Sequence, residues 1–527
     1  MKAAQSLVTE RSTHIGANKT YQYVLPAMLY LSLATILIYV AFSGWAYDDP
    51  FITYRYAQNL AKGNGFVYNV GERVLSTTTP LFTLLLAMLS PLWKDLPHLA
   101  NLLGAFCLAL GGWFLWDLAH TWRQPTQLGT TVVGFAGLLL YPTFPLVIRT
   151  LGSETPLYLA LCLGTFAFYA RRNYNLTAIL AALAVLTRPD GVLVPAILAI
   201  DYLLRVRRPI PWSGVLLFAI IILPWFIFSW SYFGSPFPAT LAAKQHQGSM
   251  AISQRFAPGL LNIMNTYIQQ WYFWVEVILG GLGLIWIGWR ARIWGLFISW
   301  TILYFLAYTI LDVSRYYWYY APLVPGLIVT TGLGAAGLCT LAIEAVENKR
   351  RNRVENDAVQ LAKKAPTNPI IWLAYLPLAA ILGIALSQVG TLRQIQTQFD
   401  ARIAAYQATG EWLRENTPAT SRIGALEIGA IGYYSQRPVI DFAGLIQPEV
   451  TAHIGRETTY ADLALWAVER YHPEYLVLHE GIFPALEQGY AAQFCRLVKN
   501  IPGAPLGYNK NLKIYDCQTP LSTTAPE

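Results

Sequence analysis

The chain has 527 residues, of which 55% are hydrophobic, 14% aromatic and 13% charged. A soluble domain carries about 25% charged residues, so this deficit, set in long apolar runs, excludes an ordinary soluble enzyme and defines a polytopic membrane protein. The net charge of +8 clusters between the apolar runs, which argues for membrane-surface anchors and against a nucleic-acid partner.

Residues 1–22 read as a polar cytoplasmic tail without the features of a cleavable signal. The first span, Tyr23 to Trp45, then acts as its own insertion signal. A first extracytoplasmic loop over residues 46–97 follows. Within it, Pro80–Trp93 has the length of a re-entrant or interfacial helix, too short to cross about 30 Å of hydrocarbon. Further spans are expected at His98–Ala119, Leu128–Ile148, Pro156–Ala170, Leu176–Leu186, Pro189–Leu204, Trp212–Phe233, Tyr267–Trp289, Ile293–Leu311, Tyr320–Ala345 and Ile370–Leu386. This gives about eleven transmembrane helices over residues 23–387. Basic residues recur at alternate loops: Arg123, Arg171 and Arg172, Arg205 to Arg208, Arg290 and Arg292, and Lys349 to Arg351. The positive-inside rule places these loops and the N-terminus in the cytoplasm. The C-terminus then lies outside, with the chain in the plasma or inner membrane.

Residues 388–527 change to ordinary globular composition. Helical and strand patterns alternate there: Thr391–Asn416 helical, Ser421–Leu426 strand, Ile431–Ser435 helical, Pro438–Phe442 strand, Ala461–Tyr471 helical, Tyr475–His479 strand and Phe483–Gln493 helical. Such alternation predicts a small extracytoplasmic α/β domain. Cys107, Cys162 and Cys339 fall within spans and read as packing residues. Cys495 and Cys517 are able to pair as a disulfide if their domain is outside.

The loops on the outer side hold the unusual chemistry. Asp48 and Asp49 follow the first span directly. Carboxylates beside lipid are costly and mark function, and adjacent ones push each other's pKa apart. One is suited to act as a general base while the other orients it. Asp49 is also placed to cap a helix starting at Pro50, which leaves Asp48 as the preferred base. That helix reads as amphipathic, with Arg55, Gln58, Asn59 and Lys62 on one arc, suited to the interface plane. Gly63–Asn69 reads as a turn into a short strand. Glu154 starts a span, where it complements the helix dipole or takes part in chemistry, with Arg149 as a neighbouring partner. Arg188 needs a partner, either Asp190 or a phosphate. Lys244 and Arg315 pose the same choice. The rings around Arg315, Trp318 among them, either anchor at the interface or stack on sugars. No cofactor is expected: Walker, Cys-x-x-Cys and His-Glu-x-x-His patterns are absent, and no spacing indicates a metal or divalent cation.

Asp48 to Leu60 with Gly63 to Val74 resembles the signature of GT-C-fold glycosyltransferases. The likeness is strongest to the terminal mycobacterial arabinofuranosyltransferases, and more distant to protein O-mannosyltransferases and the lipid A aminoarabinose transferases. Gly152–Tyr158, Arg188–Gly191, Pro238–Lys244 and Ile431–Leu445 resemble further blocks of this family. Ser76–Thr79 and Pro238-Ala239-Thr240 depart from the Gly-Tyr-Thr-Asn and Pro-Asn-Thr of many relatives.

The resemblance implies transfer of a hexose or pentose from a polyprenyl-phosphate donor to a glycan, lipid or protein acceptor outside the cytoplasm. Its catalytic aspartate maps to Asp48 or Asp49, with Glu154 as helper. Arg55, Arg149, Arg188, Lys244 and Arg315 are the expected phosphate ligands. Tyr54, Tyr68, Trp318 and Asp441 are the expected sugar or acceptor contacts. Displacement by an acceptor hydroxyl predicts inversion. The rival readings are a transporter or flippase of lipid-linked sugars, and a non-catalytic scaffold.

Overall fold

The computed structural model describes residues 24–251, 253–356, 370–397 and 400–518; the expected tail at 1–22 lies outside these. Among the described residues seven helices are long and apolar enough to cross a membrane: Val24–Phe42, Leu96–Thr121, Trp212–Phe233, Trp271–Trp289, Arg292–Leu311, Tyr317–Asn348 and one beginning at Leu376. Shorter apolar runs occupy the other expected positions. Gln127–Phe135 continues through a π-turn at Ala136–Leu140, and Leu193–Asp201 through another at Tyr202–Val206. Thr155–Ala170 and Tyr174–Thr187 complete the set. Pro80–Leu89 has 10 residues, about 15 Å of helix, and so does not cross.

Local chemistry explains the joints. Tyr174–Thr187 starts on Asn173, whose side chain accepts from Leu176 N, and stops at Arg188, whose backbone is extended (φ −150°, ψ 138°). Pro189 forces that conformation on the residue before it. Two spans, Trp271–Trp289 and Val324–Asn356, approach so closely at Gly283 and Gly334 that a Cβ on either would overlap a backbone carbonyl of the other. Small residues permit such contact where no water drives association. Val24–Phe42 leaves Leu25, Leu29, Leu33 and Leu37 exposed, a face suited to lipid.

Beyond the bundle stands a five-stranded sheet in the order β2-β1-β3-β5-β4. The strands are β1 Ile423–Ala425, β2 Val439–Asp441, β3 Tyr475–His479, β4 Arg496–Ile501 and β5 Leu512–Asp516. β1 pairs in parallel with β2 and β3, while β5 runs antiparallel to β3 and β4. β4 and β5 were absent from the sequence reading. Their charged residues sit on a hairpin whose β4 is largely exposed, so hydrophobic alternation is weak there. Cys495 and Cys517 are joined by a disulfide beside the Arg496↔Asp516 pair that ends this hairpin. The expected helix over Thr391–Asn416 is two helices, Leu376–Gln396 and Ala401–Asn416, the second capped by Asp400.

The helix Asp49–Ala61 corrects its expected setting. It is covered on both sides and presents no exposed polar arc. Phe51, Ile52, Tyr54, Arg55, Tyr56 and Ala57 are all buried, because the C-terminal domain covers the side away from the bundle. Phe51 and Tyr54 share one apolar cluster with Phe82 and Leu99 of the bundle side and Ile431, Val477 and Ile514 of the domain. The expected strand after Gly63 is likewise absent. Asn69 instead pairs with β2 through its side chain, donating to Val439 O at 2.8 Å and accepting from Val439 N at 2.9 Å.

His479 on β3 yields a test of domain stability. It is 3% exposed and its Nε2 lies 2.9 Å from Tyr406 Oη. Burial, then Arg402 and Lys510, lower its pKa to about 4. A histidine depressed in the folded state contributes stability above its unfolded pKa of about 6.5, lost as pH falls toward the folded value. Unfolding of the domain should therefore become easier between pH 6.5 and 4, by about 3 kcal/mol at most. His479→Gln should flatten that slope in a denaturation series, and an unaltered slope would place the acid sensitivity elsewhere.

Candidate active site

Two cavities meet beside the first turn of the Asp49–Ala61 helix. The larger, of about 590 Å³, lies between bundle and domain and is lined by charged and aromatic side chains, including Tyr47, Asp48, Asp49, Arg149, Lys244, Arg315, Trp318, Arg402 and Glu427. The smaller, of about 360 Å³, is mostly apolar. Its lining includes Val192, Phe237, Leu241 and Leu311, which are exposed on the bundle flank, so it opens where lipid would lie. Asp49, Ile52, Lys244, Trp318 and Leu445 line both cavities.

The two aspartates sit in different surroundings. Neither side chain caps its own helix, which begins at Asp49 with Pro50 in its first turn. Asp48 Oδ2 accepts from Gly429 N at 3.0 Å and Oδ1 from Ala430 N at 2.8 Å. Both oxygens are thus engaged by a domain helix, Gly429–Ser435. Burial, then the Glu427 carboxylate, push Asp48 up to about 8. Burial raises Glu427 as well. A proton shared by the two acids cannot sit on Asp48 without weakening one of its amide bonds. The Asp49 side chain is 42% exposed, and its Oδ1 lies 3.9 Å from Lys244 Nζ. Asp49 is therefore the more open carboxylate of the pair.

Lys244 projects from the helix Thr240–Ser249 over the ring of Tyr316, 3.9 Å from its centroid. Burial opposes its charge, but Tyr316, Asp49 and Tyr319 outweigh burial and hold the ammonium protonated above its usual range. Arg149 and Arg315 line the polar cavity only. The Arg149 carbonyl accepts from Trp45 Nε1 and Tyr317 Oη, while its Nε is buried without a hydrogen-bond partner. Arg315 is exposed and donates to Gln254 Oε1 at 2.7 Å. Trp318 stacks on Tyr47 and on Tyr316, with ring centroids 5.5 and 4.6 Å apart.

Other expected site residues are committed elsewhere. Arg188 does not stand free for a phosphate. Its guanidinium meets Asp190 Oδ1 and Oδ2 at 3.1 and 3.0 Å, Glu154 Oε1 at 3.3 Å and Tyr308 Oη at 2.8 Å. Two carboxylates already neutralise it, and Glu154 pairs with Arg188 rather than with Arg149. Arg55 is buried at 3% exposure and donates to the carbonyls of Tyr68, Gly432 and Arg437. Tyr54 Oη donates to Gly152 O at 2.6 Å, and Tyr68 Oη to Ile428 O at 2.5 Å; both rings are buried outside the cavities. Asp441 is fully buried, where it accepts from Ala443 N and Ile446 N. It braces the loop that carries Leu445 to the cavities instead of touching an acceptor itself.

Gln247, Asp400, Arg402, Glu427 and Tyr460 line the polar cavity and were missed in the sequence. Glu427 had a signal: it lies just beyond the carboxyl end of a parallel strand, where open α/β sheets place ligands. Ser76 to Thr79 and Pro238 to Thr240, the two departures from the family pattern, both touch the apolar cavity. Among the described residues no three His, Cys, Asp or Glu side chains gather as a metal site.

This arrangement of apolar helices, carboxylates just after the first of them and a C-terminal α/β domain is the GT-C fold. Its solved likenesses include ArnT from Cupriavidus metallidurans bound to undecaprenyl phosphate, at TM-score 0.61 and 15% identity over 95% of this chain and 99% of that one. They also include the Archaeoglobus fulgidus oligosaccharyltransferase in its apo form, at TM-score 0.53 and 14% identity over 90% and 71%. In sequence the chain is similar to the terminal β-(1→2)-arabinofuranosyltransferase of Mycobacterium tuberculosis, 27% identical over 296 residues. That match covers 50% of this chain and 45% of the relative, so it spans about half the length of each. A family described as a domain of unknown function (DUF8728) matches residues 391–516, the sheet domain with its leading helix.

Proposed function

We propose that the protein is a membrane glycosyltransferase that moves a sugar from a polyprenyl-phosphate donor to a hydroxyl-bearing acceptor on the outer side of the membrane. The observation that carries this reading is the meeting of a lipid-facing apolar cavity with a polar, aromatic one at Asp49 and Lys244. A lipid-linked sugar has the same division, an apolar chain joined through phosphate to a polar ring. The similar proteins support it: an arabinofuranosyltransferase in sequence, and in fold ArnT bound to undecaprenyl phosphate.

In this mechanism the prenyl chain enters the apolar cavity and its phosphate rests against Lys244. The sugar lies against Trp318, and the acceptor hydroxyl approaches through the polar cavity. Asp49 takes the hydroxyl proton as the oxygen attacks the anomeric carbon. The bond from that carbon to the phosphate oxygen breaks, and Lys244 stabilises the charge gained by the leaving polyprenyl phosphate. A single displacement inverts the anomeric centre. Glu154 acts at one remove, by holding Arg188 in the apolar wall. Arg149 and Arg315 supply further positive charge on the acceptor side.

Purified protein incubated with a panel of labelled polyprenyl-phosphate pentoses and hexoses tests the reading directly; no transfer or hydrolysis with any donor would reject it. Lys244→Gln should lower turnover by roughly 10²-fold or more, as expected for removal of a preorganised group facing the leaving oxygen. Lys244→Arg should retain part of the rate. Equal rates for wild type and Lys244→Gln would remove the lysine from the phosphate.

A further inference from the structure

Asp48 and Arg55 grip the same short helix of the C-terminal domain at its two ends. Helix termini leave N–H groups of the first turn and carbonyls of the last turn without intrahelical partners. In the Gly429–Ser435 helix, Gly429 N and Ala430 N are taken by Asp48, and Gly432 O, which accepts the closing bond from Gln436 N at 3.1 Å, takes Arg55 as a second donor. Arg55 also donates to Arg437 O, just past the helix end, at 2.9 Å. The two Arg55 contacts come from a charged guanidinium, and hydrogen bonds with an ionised partner are about twice as strong as neutral ones. The contact is too close for larger residues. A Cβ on Gly429 would overlap the Asp48 carbonyl, and one on Gly432 would overlap the Tyr68 hydroxyl. Asp48 and Arg55 flank the first turns of the helix that begins with Asp49, so whatever holds them also holds the open carboxylate.

We propose that Asp48 and Arg55 are positioning residues that lock the Gly429–Ser435 helix onto the Asp49–Ala61 helix, so that the C-terminal domain fixes the direction of Asp49 as well as roofing the polar cavity. The domain is then part of the reaction centre and not an appendage that presents acceptor. This deepens the transferase reading and rests on it wherever turnover is measured; the locking itself is measured without turnover.

Hydrogen–deuterium exchange on the full chain in lipid nanodiscs follows the peptide over residues 426–437. Asp48→Ala should speed exchange of the Gly429 and Ala430 amides by about fivefold or more, the size expected for a lost cap. Arg55→Met should loosen the same peptide from its other end. Gly429→Ala, which leaves both side chains intact, should reproduce the effect from the domain side. Unchanged exchange in all three variants would overturn the proposal. With a donor that wild type uses, Asp48→Asn keeps one acceptor oxygen and should retain turnover within roughly tenfold, with the acid limb of the pH profile unmoved. Loss in Asp48→Asn as deep as in Asp49→Asn, with the 426–437 peptide still protected, would make Asp48 the proton acceptor and overturn positioning. Full activity in Asp49→Asn would instead reject the base assignment and leave the exchange result standing by itself.

Discussion

Asp49→Asn should lower transfer from a polyprenyl-phosphate sugar by roughly 10²- to 10⁴-fold, the usual contribution of a positioned general base. Among the described residues Asp49 is the one carboxylate that lines both cavities; Asp48, Asp400 and Glu427 face only the polar one, and Glu154 and Asp190 only the apolar one. An acceptor hydroxyl in the polar cavity and an anomeric carbon arriving from the apolar side can converge only there. The substitution is nearly isosteric and removes only a loose pairing with Lys244 at 3.9 Å, on a side chain 42% exposed. Such a pair contributes at most about 1 kcal/mol, so the variant should fold as wild type does. The discriminating measurement is the initial rate at saturating donor beside a melting curve. Loss of rate with an unchanged melt supports the assignment, and wild-type turnover would sink it.

The largest effect on stability should come from Arg188→Met, about 3–5 kcal/mol. The Arg188 side chain is 5% exposed, and its partners Glu154 and Asp190 are 16% and 11% exposed. Tyr308 is drawn into the same cluster, donating to Asp190 Oδ2 at 2.9 Å. Removing the cation leaves two carboxylates facing each other with little water to separate them. Breaking a buried pair from one side is far worse than removing it whole, because the surviving charge keeps its desolvation penalty. The triple change Arg188→Met, Asp190→Asn, Glu154→Gln should therefore recover most of the loss. Denaturant titration in detergent micelles checks both variants. A single variant within 1 kcal/mol of wild type would show that the cluster adds little, and a triple variant no better than the single would show that the fault is packing, not charge.

Much of the site was legible because charge beside lipid is conspicuous. Asp48, Asp49 and Lys244 stood out for that reason, Trp318 as one of the rings beside Arg315, and the structure gathers them around two joined cavities. Which aspartate is tied to the domain helix and which stays open to both cavities was not legible. Neighbouring residues at a helix start diverge by about 100°, so one position decides between cavity and domain, and the docked domain sets that choice. Arg55 looked like a phosphate ligand because its basic arc faced an imagined water interface. The interface is filled by the Gly429–Ser435 helix, and its carbonyls claim the guanidinium. Glu427 and Arg402 went unnoticed because nothing in their own stretch is unusual. They become site residues only through the sheet that carries them over the first loop.

Readable from local sequence were the apolar helices, the change to an α/β domain after the last span, the short apolar run at Pro80–Trp93 and the resemblance to GT-C enzymes. Each follows from local hydrophobicity, length or pattern, which neighbouring residues settle among themselves. The tertiary structure alone decided the partners: Asp48 with Gly429, 381 positions away, Arg55 with Gly432, and Arg188 with Glu154 and Asp190. Buried polar groups must find hydrogen-bond partners wherever packing brings them, and no local pattern records a partner that far along the chain.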